Sequence, residues 1–312
     1  MRRLLLVGAA LLAGCGGEAS AAEWLTLKPA ILERTEVAAA RIGTTIYVVG
    51  GFLPDRSTTA AVERYDLRAD RWARVRSLPA AVNHAAAAVH DGQLYVVGGY
   101  ADGNRPTKGL FRYDPRRDRW TRLRSMPTAR AALTAGVIGG RLYAAGGAAN
   151  GRALRTLEIY DLRSGRWNQG PPMRVAREHL GGAVSGNAFF VLAGRAAGAG
   201  NMTVAERYVP SRNRWERLPD MTKSRGGTAA AALSDGRIVI AGGEEAAGTI
   251  REVELYDPRR RTWSRLPDMP TPRHGLGVVA NGRDVYTIEG GPQPAFHFSR
   301  TIERLTVAAS DG

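Results

Sequence analysis

The chain has 312 residues, of which 44 are Lys or Arg and 29 are Asp or Glu, so its formal net charge is +15 at pH 7. A single cysteine excludes an intramolecular disulfide and a zinc site built from several thiolates, and no apolar run after the N-terminus approaches the roughly 18 residues of a membrane-spanning helix. The basic charge suits anionic partners, but we find no nucleic-acid-binding motif and expect no nucleic-acid partner.

Residues 1–14 predict an export signal, because a basic start precedes a short apolar run and small residues. Residues 12–15 read Leu-Ala-Gly-Cys and resemble the lipobox of bacterial lipoproteins. That resemblance implies a diacylated Cys15 and a membrane anchor. The following Gly16 implies an outer-membrane or periplasmic location if the cell is Gram-negative. The small and polar residues 15–22 predict a flexible tether.

Beyond the tether, a pattern recurs about every 48 residues. Glycine pairs begin at Gly50, Gly98, Gly146, Gly242 and Gly290, and a sixth position reads Gly194-Arg195, which indicates that its second glycine has been replaced. In chain order, each of the first five of these six positions, from Gly50 to Gly242, is followed after 14 or 15 residues by a tyrosine. These tyrosines are Tyr65, Tyr113, Tyr160, Tyr208 and Tyr256. A tryptophan follows after 21 or 22 residues, at Trp72, Trp120, Trp167, Trp215 and Trp263. Such regularity indicates a repeat architecture.

Each repeat predicts four short antiparallel strands, which we call a to d. The run before each glycine pair is rich in β-formers, and turn dipeptides such as Asp91-Gly92 precede several of these runs. Strand a is poor in bulky residues, as expected next to a crowded axis. Strand b ends at the glycine pair, strand c carries the tyrosine and strand d the tryptophan.

The succession of a glycine pair, Tyr-Asp, Trp and Met-Pro-x-x-Arg, as at residues 126–130, resembles the kelch repeat. This resemblance covers residues 23 to about 308 and implies an all-β, six-bladed kelch-type β-propeller over residues 23–312, which we expect to be a monomer. The sixth repeat lacks a tryptophan, and Trp24 lies 48 residues before Trp72, so we predict that the N-terminal strand closes the last blade. The expected blades are residues 31–77, 78–125, 126–172, 173–220, 221–268, and 269–308 with 23–28.

The connections d–a and b–c meet on one face of such a propeller, which we call the mouth. The kelch resemblance implies that residues there line a ligand pocket. The candidate ligand-binding residues are Arg34, Asn83, His84, Arg130, Arg177, Arg195, Arg225, Glu245, Arg273 and His274. Converging arginines suit a carboxylate or a sulfate. Their repetition in five blades equally suits arginines that brace loops, so both interpretations stand.

The residues that break the repeat are the better functional candidates, namely Asn83, His84, Glu178, His179, Arg195, Glu244, Glu245 and His274. We expect a binding module for an envelope protein or an acidic glycan. The alternative is an enzyme similar to the kelch-type sialate mutarotase (N-acetylneuraminate epimerase), with Glu178, His179 and Glu244 in acid–base roles. The resemblance to galactose oxidase carries no copper site over, because the only cysteine belongs to the anchor and the histidines show no ligand spacing. We therefore expect no cofactor and no metal.

The c–d hairpins turn on the face opposite the mouth, and together they hold twelve arginines and six aspartates. Strand d starts on this face, so the tether from Cys15 leaves from it. Anionic lipid attracts basic groups close to the bilayer. We therefore hypothesise that this basic face lies towards the anchoring membrane.

Overall fold

The computed structural model describes residues 23–310, which form six four-stranded antiparallel sheets. Strand a of each blade contacts strand a of both neighbours, and the sixth contacts the first, so the sheets surround one axis. The predicted six-bladed β-propeller is confirmed. The residue ranges 1–14 and 15–22, with the lipidation site Cys15, lie outside the described residues.

The strands follow the order a, b, c, d within each blade, and in blades 1 to 5 all four follow in sequence. Strand a spans Ala38–Ile42, Ala86–His90, Thr134–Ile138, Gly181–Ser185, Ala229–Ala232 and Gly277–Asn281. Strand b spans Thr45–Val49, Gln93–Val97, Arg141–Ala145, Ala188–Leu192, Ile238–Ala241 and Asp284–Ile288. Strand c spans Val62–Asp66, Leu110–Asp114, Leu157–Asp161, Ala205–Val209, Val253–Asp257 and Ile302–Thr306. Strand d spans Arg71–Val75, Arg119–Arg122, Arg166–Gln169, Arg214–Arg217, Thr262–Leu266 and, in blade 6, Trp24–Thr26.

Smaller elements decorate this frame. Four b–c connections form two-residue strand pairs on the mouth side, at Tyr100–Ala101 with Arg105–Pro106, Ala148–Ala149 with Arg152–Ala153, Arg195–Ala196 with Gly200–Asn201, and Glu244–Glu245 with Gly248–Thr249. Short 3₁₀ turns occur at Asp102–Asn104 and Pro210–Arg212. Within residues 23–310 no helix has both the length and the apolar character needed to cross a bilayer.

The N-terminal strand closes the ring as predicted. Trp24 pairs with Leu305 and Thr26 with Glu303, so the first strand of the chain becomes strand d of blade 6. The Trp24 indole donates a hydrogen bond to the carbonyl of Pro267 at 2.9 Å, in the preceding blade. Every other strand-d tryptophan donates to a carbonyl 43 or 44 residues earlier. The closing strand therefore repeats the contact that joins all neighbouring blades.

Apolar side chains fill the space between blades. Inside a blade, Tyr65 packs on Trp72 with ring centroids 4.9 Å apart, and Tyr47 meets Tyr113 of the next blade edge to face at 5.8 Å. Strand a is lined with alanine and glycine, because six inner strands converge on the axis. A Cβ at Gly182 would lie 2.0 Å from the Thr134 hydroxyl oxygen, which shows how little room is left.

The glycine pairs differ from the sequence-based assignment in one respect. In every blade the pair has left-handed backbone, with φ of 67° and 94° at Gly50 and Gly51. In blade 4 these positions are Ala193 and Gly194, and in blade 6 they are Glu289 and Gly290. The first glycine, and not the second, is therefore replaced in blade 4, and blade 6 has the same kind of replacement. A Cβ at the second position would collide with a backbone carbonyl, as Gly51 would with Thr35.

Candidate functional site

One residue from each blade forms a ring of left-handed backbone around the axis, which we call the collar. Each collar residue precedes strand a, and from blade 2 onward its N–H donates to the carbonyl of the previous member at 2.9–3.0 Å. Val37 N–H completes the ring by donating to the Gly275 carbonyl at 3.2 Å. The collar consists of Glu36, His84, Ala132, His179, Gly227 and Gly275, with φ between 52° and 69°. Left-handed backbone costs a residue with a Cβ about 1–2 kcal/mol.

Three collar side chains converge on the axis. His84 Nε2 lies 3.1 Å from Glu36 Oε2, and the rings of His84 and His179 meet edge to face with centroids 4.7 Å apart. One donor atom from each of the three lies within 4.8 Å of the others. The fold thus brings together two histidines that show no ligand spacing in the sequence, and places a carboxylate beside them. The two histidines are predicted site residues, whereas sequence analysis missed Glu36.

The preceding residue in the chain orients each collar histidine. Asn83 Oδ1 lies 2.5 Å from His84 Nδ1, and the amide nitrogen of Asn83 donates to the Thr58 hydroxyl at 2.9 Å. Glu178 makes the same kind of contact with His179 Nδ1 through a carboxylate oxygen. Both imidazoles therefore engage Nδ1 with a neighbour, so that Nε2 is the nitrogen left to face other groups.

The ionisable side chains at the collar carry different charges at neutral pH. Burial alone would raise the pKa of Glu36, but His84 and His274 hold it well below its usual range. His274 Nδ1 lies 3.2 Å from Glu36 Oε1, and although burial opposes the charged form, this carboxylate keeps the pKa of His274 above its usual value. Burial lowers the pKa of His84 to about 4, against the attraction of Glu36. At neutral pH, Glu36 is thus ionised and His84 is neutral.

Arg195 ties together two carboxylates at the side of the mouth. Its Nε donates to Glu178 Oε1 at 3.0 Å and a terminal nitrogen donates to Glu244 Oε1 at 2.7 Å. Burial would lower the pKa of Arg195, but the contacts with Glu244 and Glu178 hold it above the usual value. The Glu244 carbonyl accepts from Asn201 at 2.6 Å. The predicted candidate Glu245 lies at the rim instead, paired with Lys223 at 2.9 Å.

Aromatic rings line the other side of the mouth. Phe52 packs edge to face against His84 and Phe296, with centroids at 5.9 and 5.3 Å, and Tyr100 packs against His84 at 5.5 Å. Phe296 is 43% exposed, and the Arg56 guanidinium lies 5.1 Å above its ring. Phe52, Phe296 and His84 border a mouth cavity of about 160 Å³. A second cavity of similar volume continues below the collar along the axis. Glu36, His84 and His179 border both cavities.

The five repeated arginines do not line the mouth. Arg34, Arg130, Arg177, Arg225 and Arg273 are fully buried. Each pairs with a strand-c glutamate of its own blade, at Glu63, Glu158, Glu206, Glu254 and Glu303. Each also donates to backbone carbonyls; Arg225, for example, reaches the carbonyls of Gly242 at 3.0 Å and Glu252 at 2.8 Å. Their candidate ligand-binding role is thus corrected: the contacts are those of loop braces, out of reach of a ligand in the mouth.

Blade 2 lacks both members of this brace, since Val82 replaces the arginine and Phe111 the glutamate. The arginines lie two positions before the collar residue, and the glutamates lie two positions before the strand-c tyrosine, or before Leu305 in blade 6. This shared exception is visible in the sequence.

Blade 1 has an additional carboxylate on its brace. Arg34 donates to Glu63 at 3.0 Å and to Glu289 at 2.9 Å, and all three side chains are fully buried. Two carboxylates around one guanidinium leave a surplus negative charge without water to solvate it. Burial raises the pKa of Glu289 to about 7, despite the attraction of Arg34, and the charge of Glu63 adds to this effect. Glu289 and Glu63 therefore hold one proton between them near neutral pH.

The fold and the site define a β-propeller with six blades and a polar, partly aromatic pocket at one end of its axis. A model of the KLHDC2/KLHL20/DRC7 Kelch-repeats domain matches residues 36–225, and a Kelch motif model matches residues 225–270. The chain belongs to the kelch-repeat family. It is also 40% identical over 72 residues to the Kelch-like protein terF of Aspergillus terreus. That match covers 22% of this chain and 16% of terF.

The brace interpretation predicts a large loss of stability in Arg225→Ala. Removing the guanidinium leaves Glu254 buried and uncompensated, which costs about 3–5 kcal/mol of the free energy of unfolding. The double variant Arg225→Val, Glu254→Phe copies Val82 and Phe111 of blade 2 and is expected to lose clearly less. Urea unfolding measures both. A wild-type midpoint for Arg225→Ala would contradict the brace.

The shared proton predicts a pH dependence. Between the unfolded pKa of Glu289, about 4.5, and its folded pKa of about 7, the folded state holds a proton that the unfolded state has released. Stability therefore falls as pH rises through this window. Glu289→Gln removes this loss of stability. The urea midpoint of the variant should therefore rise relative to that of the wild type as the pH increases from 5 to 8. The exposed Glu33→Gln serves as the control, and a gain as large in this variant would contradict the assignment.

Proposed function

We propose that this protein is a binding module that takes a segment of another polypeptide at its mouth and inserts one apolar side chain of that segment beside Phe52 and Phe296. The apolar edge of the mouth cavity carries this proposal: Phe52 and Phe296 border the cavity, and Phe296 is 43% exposed. An exposed phenylalanine at the edge of such a pocket is typical of a protein-binding surface.

The charges argue against an acidic glycan as the ligand. Among residues 23–310, Arg195 is the only arginine that borders the mouth cavity. Glu36 and Glu244 also border it, and Glu178 lies directly behind. Glu178 and Glu244 already neutralise the charge of Arg195. A sialate carboxylate would therefore meet more negative than positive charge, whereas backbone N–H groups or a basic side chain next to the apolar anchor would find acceptors.

The enzyme alternative would use Glu178, His179 and Glu244, which the structure does bring to one side of the mouth. However, Glu178 is held by both His179 and Arg195, and Glu244 by Arg195 and the Ala295 N–H. An acid–base pair needs to reach a proton on its substrate. Carboxylates that are engaged in this way favour a rigid binding wall.

A peptide-display selection tests the proposed function. With the chain from residue 16 onward as bait, we expect random twelve-residue peptides to enrich for an apolar anchor. Phe296→Ser should weaken their binding about tenfold or more, since buried aromatic anchors carry much of the binding energy. Arg163→Ser on the opposite face is the matched control.

Two results would argue against this function. Enriched peptides that bind Phe296→Ser as well as the wild type would exclude the mouth as the binding surface. Faster exchange between the anomers of N-acetylneuraminate, measured by NMR with and without the protein, would favour the enzyme.

We further propose that the protein is exported and anchored in the membrane through Cys15, with its basic face towards the bilayer. Trp24 occupies the place in blade 6 that Trp72 occupies in blade 1, so residue 23 leaves the propeller at the end where the c–d hairpins turn. The exposed arginines of these hairpins are Arg68, Arg71, Arg116, Arg117, Arg119, Arg163, Arg166, Arg212, Arg214, Arg259, Arg260 and Arg261. The aspartates Asp66, Asp114, Asp161 and Asp257 accept turn N–H groups, and Asp114 and Asp257 also pair with Arg117 and Arg260.

The orientation predicts binding to anionic vesicles without the lipid. The chain from residue 16 onward contains the whole ring and should bind phosphatidylglycerol vesicles more tightly than phosphatidylcholine vesicles, by about 1 kcal/mol per engaged arginine before screening. Charge reversal at Arg68, Arg116 and Arg163 should abolish the preference. Reversal at Arg56 and Arg152, exposed on the mouth side, should not. Equal binding to both vesicles contradicts the orientation.

A further inference from the structure

We propose that Glu36, His84 and His179 form a binding site for a divalent transition-metal ion of the zinc type at the floor of the mouth. The inference is independent of the proposed peptide binding. It begins from the collar, where blades 1, 2 and 4 contribute the three side chains and blades 3, 5 and 6 contribute only Ala132 and two glycines.

The hydrogen bonds of His84 identify its donor atom. Because the Asn83 amide nitrogen donates to Thr58, its oxygen faces His84 and accepts from Nδ1. His84 Nδ1 therefore carries a proton, which leaves Nε2 as the nitrogen that could bind a cation. Nε2 lies 3.1 Å from Glu36 Oε2. A cation bound by both atoms would replace this contact with two coordination bonds.

The groups around the site match those that orient the ligands of a metal centre. Metal-binding histidines usually donate their other ring N–H to a carboxylate or carbonyl, which fixes the tautomer and the ring orientation. His84 has Asn83 in this role, and His179 has Glu178, which Arg195 holds in place. These two orienting residues directly precede the two histidines in the chain.

Glu36 is oriented in the same way. Its Oε1 is engaged by His274 Nδ1 at 3.2 Å, while Oε2 faces His84. His274 is almost completely buried, so this contact holds the carboxylate in one position. One oxygen is thereby fixed by the protein and the other is directed to the axis.

The distances fit tetrahedral coordination. Zinc lies about 2.0–2.1 Å from histidine nitrogen and about 2.0–2.2 Å from carboxylate oxygen, so neighbouring ligand atoms are separated by about 3.3 Å. The observed 3.1 Å between His84 and Glu36 is close to this value. The three donor atoms span at most 4.8 Å, and a small rotation of the side chains completes the set. The three residues border both axial cavities, so water or a bound group would supply the fourth ligand.

Backbone conformation supports a functional reason for these side chains. The collar requires left-handed φ, which glycine adopts at no steric cost and which blades 5 and 6 satisfy with Gly227 and Gly275. Glutamate is poorly suited to φ of 56°, yet Glu36 occupies it. Strain of this kind at an axial pocket indicates a role for the side chain.

The donor set selects the class of ion. Two imidazoles and one carboxylate suit zinc, iron(II) and their neighbours in the first transition row, whereas calcium and magnesium require oxygen ligands. With Zn²⁺ as the probe, the chain from residue 16 onward, freed of affinity tags and treated with a chelator, should bind one equivalent in isothermal titration calorimetry. Co²⁺ should bind at the same site and show a visible tetrahedral absorption band.

Variants test the three ligands and their support. Glu36→Gly and His84→Gln should each weaken Zn²⁺ binding about 100-fold or more, and Asn83→Ala, which removes an outer-shell partner, about 10–100-fold. Glu36→Gly places the residue of blades 5 and 6 in the collar, so misfolding would not explain its loss. His90→Gln, a half-buried histidine outside the collar, should bind as the wild type does.

Failure to bind one equivalent of Zn²⁺, or equal binding by Glu36→Gly and the wild type, would overturn the site. The peptide selection can be run with chelator present. Its outcome then separates failure of the metal site from failure of the proposed binding function.

Discussion

The pairing of Trp24–Thr26 with Ile302–Thr306 is the contact on which the rest of this structure depends. It converts a linear series of repeats into a ring and so brings equivalent positions of six blades to one axis. Because each strand a touches two others, small residues are needed there, and the collar in front of them forms an almost regular circle of backbone hydrogen bonds. Backbone requirements are thus the same in every blade, whereas the side chains at the axis are free to differ.

This division explains which residues are structural and which form the site. The buried arginine–glutamate brace satisfies the loop carbonyls in five blades, so its members are occupied by their own blade. Blade 2 has Val82 and Phe111 in place of the brace, and the next residue, Asn83, orients His84. The departures from the repeat that form the site therefore include the collar residues and the residues directly before them.

The fold could be predicted from the sequence because its constraints are periodic. Glycine, tyrosine and tryptophan recur at nearly constant spacing, and the tryptophan missing from the last repeat is supplied by Trp24. The exact register of the glycine pairs could not be read in blades 4 and 6, because Ala193 and Glu289 replace the first glycine. The second glycine, Gly194 or Gly290, falls at the 48-residue interval where the first glycine is expected. Only the backbone φ angles and hydrogen bonds distinguish the two alignments.

The site was less accessible to sequence analysis. His84, His179, Arg195, Glu244 and His274 were recognised as departures from the repeat and do border the mouth cavity. The repeated arginines could be ligand contacts or braces until their burial was known, although the glutamates two positions before the strand-c tyrosines, absent only in blade 2, pointed to braces. Glu36 was missed because the residues at the same position of the other blades are histidine, alanine or glycine, which share no chemistry with glutamate. Aligning it with His84, at the 48-residue interval, would have found it.

A zinc-edge anomalous difference map of crystals grown with Zn²⁺ tests the central claim most directly, namely that ring closure brings side chains of blades 1, 2 and 4 together as one site. The account predicts a single strong peak on the propeller axis, within about 2.0–2.2 Å of a Glu36 oxygen, His84 Nε2 and a nitrogen of His179. A map without a peak at the collar, or with zinc bound only at surface residues, would contradict it.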